Sequence, residues 1–408
     1  MFLKFINHLE LKETNTLDKQ KSKKILYIWK GQYPWDVRVE KVCKSLISNG
    51  FEVLLLSRWF DEINEFDLID GINIKRIGFH KPKYIFTPIP YNSNWYKAIE
   101  KSIIDFKPDL IIVREILLAD QSGKLARKHK IPIIMDMAEN YPAAMRAWKK
   151  YSKNIIPRLI THSFKIPDKV EKNTLKLMTA IITVCDEQNE RLISQYHIKS
   201  ENIEIVHNTP FKNWVKRENR ITNDKIVFGH HGSTTDDKKI INFIYAFINV
   251  HKSYPNLELH LAGYGESFDE IEELINKTNS SLFIKILGKY NHNELQQLIN
   301  SFDYGVLPYQ ISDFNNTTIH NKIFDYLAFG KPVLVSEAKP ISRLVKQVNN
   351  GVVVDCEETY KIETGIIELL NKSYNEMSAN SVKAFEEKYN WEIDEKRLIS
   401  FVNKYINK

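Results

Sequence analysis

Apolar residues in this chain recur in two rhythms that alternate along its length. Short continuous runs, such as Ile25-Leu26-Tyr27-Ile28-Trp29 and Val53-Leu54-Leu55-Leu56, predict strands buried on both faces, because a half-exposed strand would alternate. Between them Val39, Val42, Cys43, Leu46 and Ile47 recur at helical spacing, which predicts a helix over 37–48. A loop holding Gly31 and Pro34 is expected to lead into it. Strand, helix and strand in that order make a βαβ unit and a parallel sheet. The alternation continues with strands expected at 72–77, 109–113, 131–135, 181–185 and 203–206, and helices at 95–106, 118–129 and from Glu187. A second series places strands at 226–228, 257–261, 283–287, 304–307, 332–335 and 352–354. Its helices are expected at 240–251, 268–276, 293–301, 320–328 and 358–370. One amphipathic stretch, 382–406, closes the chain.

This pattern is α/β throughout and divides into two Rossmann-like, doubly wound domains. The expected organisation is a polar arm at 1–23, a first domain at 24–210, a linker at 211–224, a second domain at 225–381 and a terminal stretch at 382–408. Two such domains leave a cleft at the carboxyl ends of their strands, where ligands of open α/β sheets bind. The length of 408 residues suits two domains of about 100–200 residues each. A composition of 43% hydrophobic and 27% charged residues excludes a disordered or low-complexity chain. Cys43, Cys185 and Cys356 are widely spaced, which argues against a disulfide framework or a structural zinc site and for a reducing, cytoplasmic setting. No run approaches the roughly 18 apolar residues of a membrane span.

The net charge of +7 is concentrated. Between residues 145 and 176 stand Arg146, Lys149, Lys150, Lys153, Arg158, Lys165, Lys169, Lys172 and Lys176, opposed by only Asp168 and Glu171. Trp148, Tyr151, Ile155, Ile156 and Phe164 are interleaved with them. A solvated face, a nucleic-acid surface and attachment to an anionic membrane all fit the charge. The Rossmann-like setting lacks a nucleic-acid module, so no nucleic acid is expected, and apolar residues among lysines favour an interfacial segment. The expected location is therefore cytoplasmic and peripheral on the membrane's inner face.

Hydrolytic and metal motifs are missing. There is no GxSxG, HExxH or GxxxxGK[ST] sequence and no Asp-x-Asp pair. The neighbours His230 and His231 end a predicted strand and point to opposite faces, so one of them is expected to be structural or to line a substrate. After that strand comes HHGSTTDDKK, a glycine turn entering a helix, where Gly232 lets backbone approach a ligand. Lys238 and Lys239 at the helix entrance suit a diphosphate, or are solvated lysines offset by Asp236 and Asp237. In the segment 314–336, the helix start near Thr317 and Thr318 forms a second expected anion site. Asp325 lies near one face with Lys322; its carboxylate could accept both hydroxyls of a ribose, or could cap or salt-bridge locally.

Taken together, WDVRVEKVCKSLISNGFEVLLLS (35–57), IVHNTPF (205–211), LAGYGE (261–266), ILGKYNHNELQQLINSFDYGVLPY (286–309) and NKIFDYLAFGKPVLVS (321–336) resemble the retaining glycosyltransferases of family 4. The resemblance implies the GT-B fold, with the terminal stretch crossing back to the first domain. It also implies transfer of a sugar from a nucleotide-sugar co-substrate to a glycan or lipid-linked acceptor, without a metal. Lys238 matches the family's diphosphate-binding lysine, and Lys239 replaces the glycine that usually follows it. Ser233 stands where an arginine is common. Asp325 matches the second acid of Glu-x7-Glu, whose first position is Thr317. DMAENYP (136–142) resembles D-x-H-E-x-x-P with Ala138 for the histidine, and retains Glu139. The implied catalytic residues are thus Lys238, Asp325 and Glu139. The implied donor-binding set is Gly31, Asn208, Gly232, Ser233, Lys239, Thr317, Thr318, Asn321 and Lys322. A GT-B protein that binds its ligand without transfer, and a sugar-nucleotide epimerase, are the alternatives.

Overall fold

A computed structural model describes residues 22–34, 36–59, 64–77, 91–148, 151, 154–218, 224–234 and 239–407. Residues 1–21 of the expected arm, the linker's 219–223 portion, and Lys149, Lys150, Lys153 and Lys238 lie outside them. Eight strands form the first sheet: β1 (Lys24–Gln32), β2 (Glu52–Arg58), β3 (Phe66–Ile69), β4 (Ile72–Ile77), β5 (Leu110–Arg114), β6 (Ile133–Asp136), β7 (Ala180–Thr183) and β8 (Ile203–Ile205). Their spatial order is β3-β4-β2-β1-β5-β6-β7-β8, parallel except for the β3 edge, which the apolar pattern did not reveal. The second sheet has β9 (Ile226–His231), β10 (Leu257–Ala262), β11 (Ile284–Gly288), β12 (Tyr304–Leu307), β13 (Val333–Ser336) and β14 (Gly351–Val354), ordered β11-β10-β9-β12-β13-β14. Strand order reverses beside β1 in one sheet and beside β9 in the other, and each reversal opens a crevice at the strand ends.

Continuous apolar strands arise because helices cover both faces of each sheet. In β1, Ile25 and Tyr27 enter one core with Val39, Val42 and Leu46 of the helix Val37–Ser48. Leu26 and Ile28 enter the opposite core with Trp95, Ile99 and Leu118. The second sheet is enclosed likewise, by Phe243 and Phe247 on one side and by Ile323, Leu327 and Ile341 on the other.

Several boundaries move. β1 runs through Gly31 to Gln32, so Gly31 belongs to the strand and not to the loop. The terminal stretch is two helices, Tyr374–Glu387 and Trp391–Ile406. Phe385 and Tyr389 pack in the second domain's core, whereas Trp391, Leu398 and Tyr405 pack in the first domain's. The crossing thus falls between Tyr389 and Trp391, later than the expected boundary at 382. Asn390 makes the break, with Oδ1 accepting from Ile393 N and Nδ2 donating to Phe385 O.

Candidate active site

The two domains meet on their strand ends. Asn140, after β6, donates to Thr317 Oγ1 at 3.0 Å. Arg343 grips Glu187 at 2.7 Å and Asp186 at 2.8 Å. Ala138, Val184 and Cys185 of the first domain pack into the apolar cluster of Ile319, Ile323 and Ile341. A cavity of about 360 Å³ lies along this seam, walled by Asn140, Arg146, Asp168 and Arg191 on one side and Asp313 and Thr317 on the other.

The densest convergence of chemistry is at the end of β9. Gly232 has φ of 102°, a left-handed value that strains any residue with a Cβ. A Cβ there would also stand 2.7 Å from Lys322 Nζ, so the ammonium lies directly over the glycine. Gly263 (φ 125°) closes the neighbouring strand end; a Cβ on it would collide with Gly232 O. His231 is buried, with Nδ1 3.1 Å from the Tyr290 hydroxyl and Nε2 3.7 Å from Asp325 Oδ2. Burial first, then the charges of Lys322 and His230, hold the imidazole well below its ordinary pKa, so it is neutral near pH 7. Asp325 is pushed up to about 6 by burial, which outweighs the opposing pull of Lys322 and Lys41. Among the described residues it makes no salt bridge to a lysine or arginine; His231 Nε2 lies 3.7 Å away.

The other expected residues scatter. Ser233 is exposed on the turn after Gly232. Lys239 caps the helix Ile240–His251 at φ 46° but pairs with Glu357 at 2.7 Å, on the loop after β14, with β12 and β13 between it and β9. Its charge is engaged there. Thr317 amide donates to Phe314 O, and the helix itself starts at Lys322, so the expected anion site at Thr317–Thr318 is not a helix N-terminus. Thr318 is buried, and its hydroxyl has no hydrogen-bond partner among the described residues. Asn321 is exposed, and its carbonyl accepts from Phe324 N and Asp325 N. Asn208 lies in the hinge with Oδ1 buried and without a hydrogen-bond partner among the described residues, beside His207, whose ring meets Phe324 at 5.2 Å. Gly31 sits where a Cβ would overlap the Trp29 ring.

Glu139 is half-buried at the cleft end of the first sheet. Burial, then the charges of Glu115, Tyr151 and Glu139, raise the nearby Tyr141 hydroxyl. Glu115 itself holds φ 64° and ψ 164°, a region nearly reserved for glycine, with its carboxylate 3.8 Å from Lys30 Nζ.

Two residues of the cleft escaped the sequence reading. Lys41 is buried, donates to Thr209 O at 2.7 Å and lies 4.7 Å from the Trp391 ring centroid. Burial and Arg38 lower its pKa to about 7, while Asp325 across the cleft pulls the other way. Arg38 is buried against Asp136 at 2.6 Å. The available signal was positional: Arg38 and Lys41 are three apart within a helix whose neighbours Val39, Val42 and Cys43 are apolar, so their cations face the interior.

Residues 36–209 match the family described as Glycosyltransferase Family 4, and residues 225–372 match Glycosyl transferases group 1. MJ1607, an uncharacterized glycosyltransferase of Methanocaldococcus jannaschii, is 22% identical over 371 residues, which are 87% of this chain and 90% of that protein. Among solved structures, sucrose-phosphate synthase (tll1590) from Thermosynechococcus elongatus superposes with a TM-score of 0.75 at 14% identity, covering 94% of this chain and 98% of that one. Anabaena Alr3699/HepE, in complex with UDP and glucose, gives 0.68 at 13% identity over 94% and 100%. These likenesses show the fold.

Proposed function

Since this chain belongs to the group 1 glycosyltransferases of the GT-B fold, we propose that it moves a sugar from a nucleotide-diphosphate donor to a glycan or lipid-linked acceptor with retention at the anomeric carbon, in surface polysaccharide synthesis. The observation that carries this reading is the meeting of Gly232, Lys322 and Asp325 at the end of β9. A nucleoside diphosphate needs both charges. The ammonium over Gly232 meets the phosphates where no side chain intervenes. The carboxylate accepts from the two ribose hydroxyls, a charge-assisted pair that a neutral group matches poorly. His231, being neutral, leaves the Asp325 charge to the ligand.

As the glycosidic bond breaks, negative charge grows on the departing diphosphate, and a preorganised ammonium in a water-poor cleft stabilises it. Lys238, expected from sequence ahead of the helix Ile240–His251, would add a second. The acceptor hydroxyl attacks from the face the phosphate leaves and passes its proton to that phosphate. Closure of the domains through Asn140–Thr317 and Arg343–Glu187 keeps water from competing. With no Asp-x-Asp motif in the sequence, the diphosphate is held by lysines and no metal is required.

Calorimetry with UDP, ADP and GDP, alone and as diphospho-sugars, tests the donor site. One of them should bind wild type and lose affinity in Asp325→Asn; wild-type affinity in that variant overturns the assignment. Slow donor hydrolysis, undiminished by excess chelator, should accompany binding. The anomer released to an acceptor, read by NMR, decides retention.

A further inference from the structure

The segment 154–164 of the first domain is turned inside out. Ile155, Ile156, Leu159 and Phe164 are 78%, 71%, 44% and 60% exposed. The short helix Ile155–Arg158 buries no residue, and the π-helical turn Leu159–Ser163 that continues it buries only Thr161. Ile155 and Ile156 precede Leu159 by four and three positions and so both neighbour it on the surface. On the inner side the Thr161 hydroxyl donates to Pro157 O at 2.8 Å. An ordinary surface helix directs these side chains the other way.

The charges around this apolar face are unbalanced. Arg158, Lys165, Lys169 and Lys172 are exposed. The two acids of the stretch do not offset them: Asp168 holds Arg146 at 2.7 Å, and Glu171 is buried in a bidentate pair with Arg191 at 2.7 and 2.9 Å. A protein partner would need matching acids for these cations as well as an apolar socket. An anionic bilayer supplies both, acyl chains for the apolar face and head groups for the rim.

We propose that Ile155, Ile156, Leu159 and Phe164, rimmed by Arg158 and Lys165, seat the first domain on an anionic lipid surface. Arg146 and Asp168, at the foot of this segment, also wall the interdomain cavity. The bilayer would thus lie beside the seam between the domains, the side from which a lipid-linked acceptor would approach. This use of the surface rests on the transfer reading; the lipid binding does not.

Co-sedimentation of the full chain tests it, with vesicles of phosphatidylcholine alone and of equal parts phosphatidylcholine and phosphatidylglycerol. Wild type should sediment with the mixed vesicles at low salt, poorly with the neutral ones, and less as salt screens the rim. The double variant Ile156→Ser/Phe164→Ser should lose binding by about tenfold or more, and Arg158→Glu/Lys165→Glu should be released at low salt, both with unchanged circular dichroism. Failure of wild type to sediment with the anionic vesicles, or equal binding by the apolar double variant, overturns the proposal. So does a concentration-dependent oligomer of wild type that the same variant dissolves, which would make the face a contact between copies. Donor hydrolysis without vesicles is scored separately; its absence would count against transfer and leave the sedimentation result standing.

Discussion

Two aspartates, one from each domain, reach the cleft and meet opposite fates. Asp136, ending β6, is fully enclosed and takes the Arg38 guanidinium at 2.6 Å and the Tyr27 hydroxyl at 3.0 Å. Arg38 in turn donates to Val206 O at 3.0 Å, tying the helix Val37–Ser48 and β6 to the hinge. Burial alone would raise the carboxyl, but Arg38 and then Arg114 reverse the balance and hold it below the ordinary range. Asp325 in the second domain has no such clamp among the described residues, and burial lifts it to about 6. One acid is consumed by the architecture. The other stands at the cleft with His231 3.7 Å away, the arrangement on which its proposed role toward the ribose rests.

Breaking the clamp should have the largest effect. Asp136→Ala leaves Arg38 buried without its counter-charge, a loss of about 3–5 kcal/mol in unfolding free energy by chemical denaturation. At the other site, Lys322→Ala should leave stability near wild type while turnover falls by about 10²–10³-fold. A rate unchanged in the purified variant would remove Lys322 from the diphosphate.

Asp325→Asn sharpens the contrast further. It should weaken nucleotide binding by about 1.5–3 kcal/mol, the worth of hydrogen bonds to a charged group, yet raise the melting temperature at neutral pH, because a buried charge without a clamp is removed. The same substitution at 136 should lower it. The pH profiles should also run oppositely. Asp325, raised in the folded state, destabilises the fold as pH climbs through about 6, and donor affinity falls as pH drops below that value. Asp136, depressed, contributes stability above the ordinary carboxylate range that is lost as pH falls beneath it. Titrating wild type and each Asn variant by thermal melt separates the two slopes. The smallest effect belongs to the seam: Asn140→Ala removes the hydrogen bond to Thr317 and the cap on Ala143 N, each worth about 1 kcal/mol, and should raise the donor's KM.

The two rhythms of apolar residues marked nearly every parallel strand, because burial on both faces is written into consecutive positions such as Ile25–Ile28. Asp325 and Lys322 were legible as a pair because one helical turn fixes their spacing. The β3 edge escaped because Phe66 and Leu68 are exposed and form no buried run. Thr317 and Lys239 were placed by spacing alone. Thr317 lies in a turn closed on Phe314, ahead of the helix, and Lys239 pairs with Glu357, which is distant in sequence.

The order of elements, the parallel sheets and the glycine turn after β9 follow from local periodicity and from the backbone each residue permits. Which charges serve the fold and which remain for chemistry was decided only in three dimensions. Arg38 and Asp136 are 98 residues apart along the chain, and Lys41 feels Asp325 only because the domains face each other. A charge's pKa follows from what surrounds it after burial, and no local pattern encodes that neighbourhood.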